Sequence, residues 1–432
     1  MFRKKFFLNL KKNKFELNTF FFGIFLLPSI PSISLILLLL TCVSLSFKKK
    51  SYLKDAYNWS LILSSLLILI SSISNTFFPN QFYKDYYNID QIWIGIANWL
   101  PYFWIFWLFQ RFSYNQIKRR NIIIVFLAGS IPVIISGLLQ YFLKIHGPFV
   151  FFNGLVTWYS REILPGDGMT GLFNNTNYFG MWLNIIWPFA LALTKENFSK
   201  GNIKFVGIVF SISILICTIL TFSRNAWLGL VLSTMLVLGI KSLKWLIPLL
   251  SLLITPVLIG LGYFFNNFLT DIAQKFIPQI IFQQFRNSGF ENFSSFTRVQ
   301  IWDSSLNFVF QKPLTGWGSS SFPVLFKIDN GADFFAHSHN LPLEIALSFG
   351  IPTAILITST IVSILYFSQK IIFKSFLRKP LLPYDRAWWS SAVTIFVCHM
   401  FDVQYFDVRI GLTLWILLGG LRNIIRNDVI TN

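Results

Sequence analysis

The sequence predicts an all-α polytopic membrane protein, and three observations carry that reading. Apolar runs of membrane-spanning length recur along its 432 residues, and a helix needs about 20 such residues to cross a bilayer. The chain is 54% hydrophobic and only 12% charged, a balance that excludes a water-soluble fold. Its formal charge of +19 gathers as Lys and Arg on alternate connections, as the loops of a multi-pass protein do. In a soluble protein that charge would suggest nucleic acid; here it reads mainly as a topology signal, with attraction to anionic lipid added.

The first apolar stretch, residues 17–47, is about one and a half spans long and is interrupted by Leu27-Pro28-Ser29-Ile30-Pro31. A single crossing would put Lys48, Lys49, Lys50 and Lys54 outside and give every later loop the wrong sign. A short hairpin turning at the two prolines keeps both Lys-rich flanks inside, and the later loops then alternate correctly. Further spans are expected near 57–76, 91–110, 121–142, 177–194, 204–222, 225–240, 245–265, 342–366, 387–403 and 410–424. That makes about 12 transmembrane segments, the first two short, with both termini cytoplasmic in a plasma (inner) membrane. Residues 77–90, 143–176, 223–225, 266–341 and 404–409 then face the periplasm. The basic N-terminus is followed by no small-residue cleavage site and reads as a retained anchor. Trp93, Trp99, Tyr102, Trp104 and Trp107 cluster at an expected membrane edge, where such rings act as anchors. Cys42, Cys217 and Cys398 lie far apart inside apolar runs, which suits packing. No repeat or Gly/Ser linker divides the chain. It reads as one integrated domain, with membrane helices over 1–265, a large periplasmic catalytic loop over 266–341, and membrane helices over 342–432.

Candidate chemistry gathers on the outer face. Arg224 lies between two apolar runs with almost no loop, and a guanidinium at that depth is costly unless an anion pairs with it. Snorkelling, a protein carboxylate or a substrate anion would each account for it. Arg298 and Trp302 lie in the long loop, where an Arg is tolerated at no cost. The loop ends in His337-Ser338-His339-Asn340, holding two of the chain's four histidines. Asn340 suits the cap of a helix beginning near Leu341-Pro342. The positive end of that helix disfavours imidazolium, so a neutral His339 is placed to accept a proton. Glu344, a turn later, is positioned to orient the ring or bind substrate. The His-x-His pair also suits a metal, but His146 and His399 are remote in sequence and no further ligand is identifiable, so none is expected. Gly316 and Gly318 either offer amides to an anion or simply form a turn. Arg161 is a further outer-face cation, and Trp158, Tyr159, Trp302, Trp317 and Phe335 offer surfaces for stacking on sugar rings. No GxxxxGK[ST] loop is present, and no cofactor is expected. The set suits transfer from an anionic lipid-linked donor, with Arg neutralising a departing diphosphate and His removing a hydroxyl proton.

In order and spacing, four strings resemble the O-antigen ligase and O-antigen polymerase superfamily. They are Ser223-Arg224-x-x-Trp227, Arg298-x-x-x-Trp302, Pro313-Leu314-x-Gly316-x-Gly318 and His337-x-His339-Asn340-x-x-Leu343-Glu344. Gly171-Leu172-Phe173-x-Asn175-x-Asn177-x-x-Gly180 resembles a further block, and the likeness covers roughly residues 165–365. It implies a GT-C-like helical fold and a metal-independent, inverting glycosyltransferase. Such an enzyme moves a glycan from a polyprenyl-diphosphate carrier to a lipid-linked or other saccharide acceptor at the periplasmic face. The resemblance implies Arg224 and Arg298 as diphosphate contacts and His339 as base; Arg161 has no placed equivalent. Ligases and repeat-unit polymerases share these blocks, so both remain open. Cyanobacterial relatives, resembled in Asn98-Trp99-Leu100-Pro101-Tyr102-Phe103, have been labelled bicarbonate transporters. A bicarbonate or other small-anion transporter is therefore the alternative of another class. It needs ionisable groups near the bilayer midplane, and no charged residue falls mid-segment, although Asn184 and Trp187-Pro188 interrupt one span.

Overall fold

The computed structural model describes residues 2–48, 52–79, 88–196, 202–262, 267–277, 279, 281–282, 297–331, 335–374 and 382–431. The architecture is all-α and polytopic, with seven helical stretches among these residues long and apolar enough to cross a membrane. Helices α1 (Phe2–Leu26) and α2 (Pro31–Ser46) form a hairpin. Pro31 opens α2 because a first-turn residue needs no N–H partner. Ser34 Oγ donates to the Gly23 carbonyl at 2.7 Å, and the Thr19 and Thr41 hydroxyls pair at 2.9 Å, so polar groups staple the two arms.

The chain continues through α3 (Ala56–Phe77), α4 (Ile89–Ile94), α5 (Leu100–Phe109), α6 (Gln116–Phe142), α7 (Thr176–Thr194), α8 (Asn202–Leu220), α9 (Arg224–Leu238) and α10 (Leu243–Gly260). Then come α11 (Asn267–Phe276), α12 (Thr297–Gln311), α13 (Phe322–Asn330), α14 (Leu341–Phe349), α15 (Ile351–Lys374), α16 (Leu382–Cys398) and α17 (Val408–Thr431). Helices α7, α16 and α17 form the centre, where Trp182, Trp388 and Trp415 are fully buried. Helices α8 and α10 turn most of their apolar surface outward, as lipid-facing helices do.

Four details depart from the sequence reading. The span expected at 91–110 is broken into α4, a 3₁₀ turn at Gly95–Asn98 and α5. The span expected at 342–366 is divided at Gly350, whose φ of +88° only glycine adopts readily. A Cβ there would lie 2.1 Å from the Leu314 carbonyl oxygen, so the break lets residues 313–316 cross against the backbone. The stretch 143–176 contains a short antiparallel hairpin, Phe149–Phe151 against Val156–Trp158. The aromatic anchors are mostly core instead: Trp99, Tyr102 and Trp107 are buried, and Trp99 stacks on Tyr405 at 4.4 Å, because the broken span packs against α17.

Candidate active site

Two helix N-termini meet at one end of the bundle. Asn175 caps α7 by accepting from the Asn177 and Tyr178 amides, and Ser223 caps α9 by accepting from the Ala226 amide. Ser223 Oγ also donates to Asn177 Oδ1 at 2.8 Å, which ties the two caps together. Gly180 allows the close approach behind them, since a Cβ there would stand 2.5 Å from that of Ala226. Between the caps lies a polar cavity of about 250 Å³, lined by Thr176, Asn177, Ser223, Arg224, Arg298 and Asp167 among others. Two positive helix ends and two guanidinium groups suit it to an anion.

The second half of the site is the turn before α14. Asn340 caps that helix, with Oδ1 accepting from the Leu343 amide at 3.0 Å and Nδ2 donating to the Met400 carbonyl at 3.1 Å. The Leu341 amide donates to the His399 carbonyl at 2.9 Å, so the turn is fastened to the α16–α17 connection. His339 is held at φ +54°, a strained conformation costing on the order of 1 kcal/mol. Its amide donates to His337 Nδ1 at 3.2 Å, and the Ser338 amide donates to the buried Glu344 carboxylate at 2.8 Å.

His339 Nδ1 lies 2.8 Å from Asp402 Oδ1, and Gln404 Nε2 donates to Asp402 Oδ2 at 2.7 Å. Burial alone would raise the Asp402 pKa. The hydrogen bond from His339 and the nearby His337, His339 and Arg298 outweigh it and hold the carboxyl below its usual range. An ionised Asp402 can only accept, so Nδ1 of His339 carries a proton, and Nε2 is the nitrogen directed away from the carboxylate. His337 is pushed from 6.5 down to about 4, by burial first and by His339, against the pull of Asp402. It is therefore neutral at pH 7.

The two halves are joined. Asn225, next to Arg224, donates to the Cys398 carbonyl at 3.4 Å, one residue from His399. Arg298 on α12 lines the cavity and is near enough to both Arg224 and Asp402 to act on each electrostatically. Trp302, one turn further along α12, has a buried Nε1 with no acceptor among the described residues. Arg161 reaches the cavity rim through Asp167, 3.2 Å away.

Several expected contacts lie elsewhere. The Trp317 and Gly318 amides donate to the Leu347 and Ser348 carbonyls at 2.8 and 2.9 Å, and the Gly316 amide to Lys312. Trp317 and Gly318 thus clamp the end of α14, and neither Gly316 nor Gly318 has an amide left for an anion. Trp317 is buried, with Nε1 bonded to the Phe308 carbonyl, and offers no face to a sugar. The Asn340 side chain is fully engaged in fastening the turn. Glu344 anchors Ser338, and the ring of His339 is oriented by Asp402 instead. Asp402 also removes the argument against a metal: His337, His339 and Asp402 bring ligand atoms within 4.8 Å of one another, a set suited to a divalent ion. Asp333 and Phe334, inside the expected loop, lie outside the described residues.

Sequence reasoning missed Asp402 because it sits 63 positions beyond His339 and near the end of an expected span. The available signal was its place beside a short connection expected on the outer face and holding Gln404, Asp407 and Arg409.

A family model described as O-antigen ligase matches residues 208–358. That stretch includes Arg224, Arg298, Trp302, His337 and His339, but neither Arg161 nor Asp402. A ComP-specific O-oligosaccharyltransferase from Acinetobacter baylyi is 26% identical over 194 residues, 42% of this chain and 32% of that protein. The match thus spans about a third of the relative's length.

Proposed function

We propose, from a chain related to the O-antigen ligase superfamily, that this multi-pass membrane protein transfers a glycan from a polyprenyl-diphosphate carrier to an acceptor hydroxyl. The observation that carries the reading is the junction of an Arg224–Arg298 anion cavity with a His339–Asp402 pair through Arg298. The relative's name, an O-oligosaccharyltransferase, describes the same type of reaction.

In this mechanism the donor diphosphate rests against Arg224, Arg298 and the N-termini of α7 and α9. The acceptor hydroxyl attacks the anomeric carbon from the side opposite the diphosphate. The new glycosidic C–O bond forms as the bond from the anomeric carbon to the diphosphate oxygen breaks, which inverts the configuration. The hydroxyl proton passes to His339 Nε2, and Asp402 stabilises the imidazolium that results. Negative charge leaving on the diphosphate is met by groups already aimed at it, where such preorganisation contributes most. The reaction lies on the periplasmic side, with both termini cytoplasmic, as the Lys and Arg distribution supports. Ligase and repeat-unit polymerase differ only in the acceptor, and the ligase reading follows the family match.

The test is H339A, assayed with purified protein and lipid-linked oligosaccharide. Transfer is expected to fall about 100- to 10,000-fold, the usual worth of a positioned base, while insertion and thermal stability persist. Undiminished transfer would remove His339 from the chemistry.

A further inference from the structure

At the far end of the bundle lies a larger cavity that the transfer site does not use. It has a volume of about 560 Å³ and lies between the middle of α1, the turn just after α2, the last turns of α17 and the connection from α5 to α6. Four cations line it, Lys48, Arg111, Lys118 and Arg426, with Glu16 as their acidic counterpart. Glu16 is 1% exposed and already engaged, accepting from Ser44 Oγ at 2.7 Å and pairing with Lys48. The lining therefore keeps a positive balance, with Lys48, Arg111 and Arg426 exposed at its rim.

An independent feature points to a ligand. Gln110 lines the same cavity and is 2% exposed, yet its Nε2 donor has no acceptor among the described residues. A buried amide without a partner costs about 1–3 kcal/mol, and a phosphate oxygen would satisfy it. The cavity is also remote from the transfer site. Helix α17 has Arg409 at one end, bonded to the Leu172 carbonyl beside the α7 cap, and Arg426 seventeen residues on, roughly 25 Å away at 1.5 Å per residue. Helix α6 repeats the span from Lys118 to Gln140, which holds the Thr170 and Gly171 amides. That separation is close to the thickness of a bilayer's hydrocarbon core, about 30 Å. Beside the cavity, Phe15 and Phe22 project from one face of α1, 56% and 55% exposed, and form an apolar track leading away from the basic rim.

We propose that this cavity binds the phosphate headgroup of an anionic membrane lipid, with its acyl chain along the exposed face of α1, in the leaflet opposite the transfer site. Lys118 and Arg426 neutralise the phosphate and Gln110 Nε2 donates to one of its oxygens. Charge set only by membrane topology would place basic residues at this end without stranding a buried donor beside them.

Native mass spectrometry of the full chain, released from micelles containing equal phosphatidylglycerol and phosphatidylcholine, tests it. Wild type should retain phosphatidylglycerol, and K118Q/R426Q should retain at least fivefold less, with phosphatidylcholine retention unchanged. Q110L, which removes the donor without altering charge, should lower phosphatidylglycerol retention at least twofold and serves alone where the double variant does not fold. Equal retention by wild type and variants would overturn the assignment. Displacement of the lipid by millimolar inorganic phosphate would also overturn it, since the site would then serve a soluble phosphate.

Discussion

The two cavities at opposite ends of this bundle both gather cations, and they do so by different means. At the proposed transfer end, Arg224 and Arg298 lie beside two capped helix N-termini, and a His–Asp pair stands within electrostatic reach of Arg298. At the far end, long side chains line the cavity around the engaged carboxylate of Glu16, and among the described lining residues there is no histidine. Fixed backbone dipoles hold their direction while charge develops, whereas flexible Lys and Arg stems adapt to a resident group. The first arrangement suits a reaction; the second suits a static ligand.

The largest effects should come from dismantling the first arrangement. R224K and R298K keep the charge but lose the planar fork, and each is expected to lower transfer about 100-fold or more. A loss confined to donor KM, with kcat intact, would mean the cavity binds donor without stabilising the departing diphosphate. D402N should lower kcat about 10- to 1,000-fold with donor KM nearly unchanged, because the ring loses the partner that fixes its tautomer. Rates equal to wild type would leave Asp402 as a fold element only. The contrast predicts the reverse at the far end. Asp385 is buried with Arg119 at 2.6 Å and accepts from Gln116, so D385A should destabilise by about 3–5 kcal/mol, read as a lower Tm, while turnover per folded molecule holds.

Smaller effects sharpen the account of the His–Asp pair. The folded state keeps His337 neutral between its ordinary 6.5 and about 4, so it binds fewer protons there than the unfolded chain. Its contribution to stability is complete above about pH 6.5 and is lost as pH falls toward 4. H337Q should flatten that part of a Tm-against-pH curve; an unchanged slope would assign the acid loss to other groups. EDTA should leave transfer unaltered, because His339 Nδ1 and Asp402 Oδ1 already satisfy one another. A loss restored by a divalent ion would turn His337, His339 and Asp402 into ligands.

Much of this organisation was legible in the sequence because its causes are local. Long apolar runs fix the helices, two prolines mark the first hairpin, and Asn340 announces the start of α14 through its own cap. Arg224 was conspicuous because a charge between two apolar runs demands a reason. What escaped reading depends on contacts between distant segments. Asp402 meets His339 only when the connection after α16 lies against the turn before α14. Gly316 resembles an exposed turn until Ser348 closes over it, and Trp99 resembles a membrane anchor until Tyr405 lies beneath it.

The bond from Asn225 to the Cys398 carbonyl spans the seam between α9 and α16. Arg224 precedes the first of these residues, and the turn bearing Asp402 follows the second, so charge and base share one mechanical frame. A slip of one helical turn along that seam, about 5.4 Å, would put them out of register. Arg298 and His339 join that frame from the long segment between α10 and α14, so a change in how that segment docks would move the proposed chemistry as well.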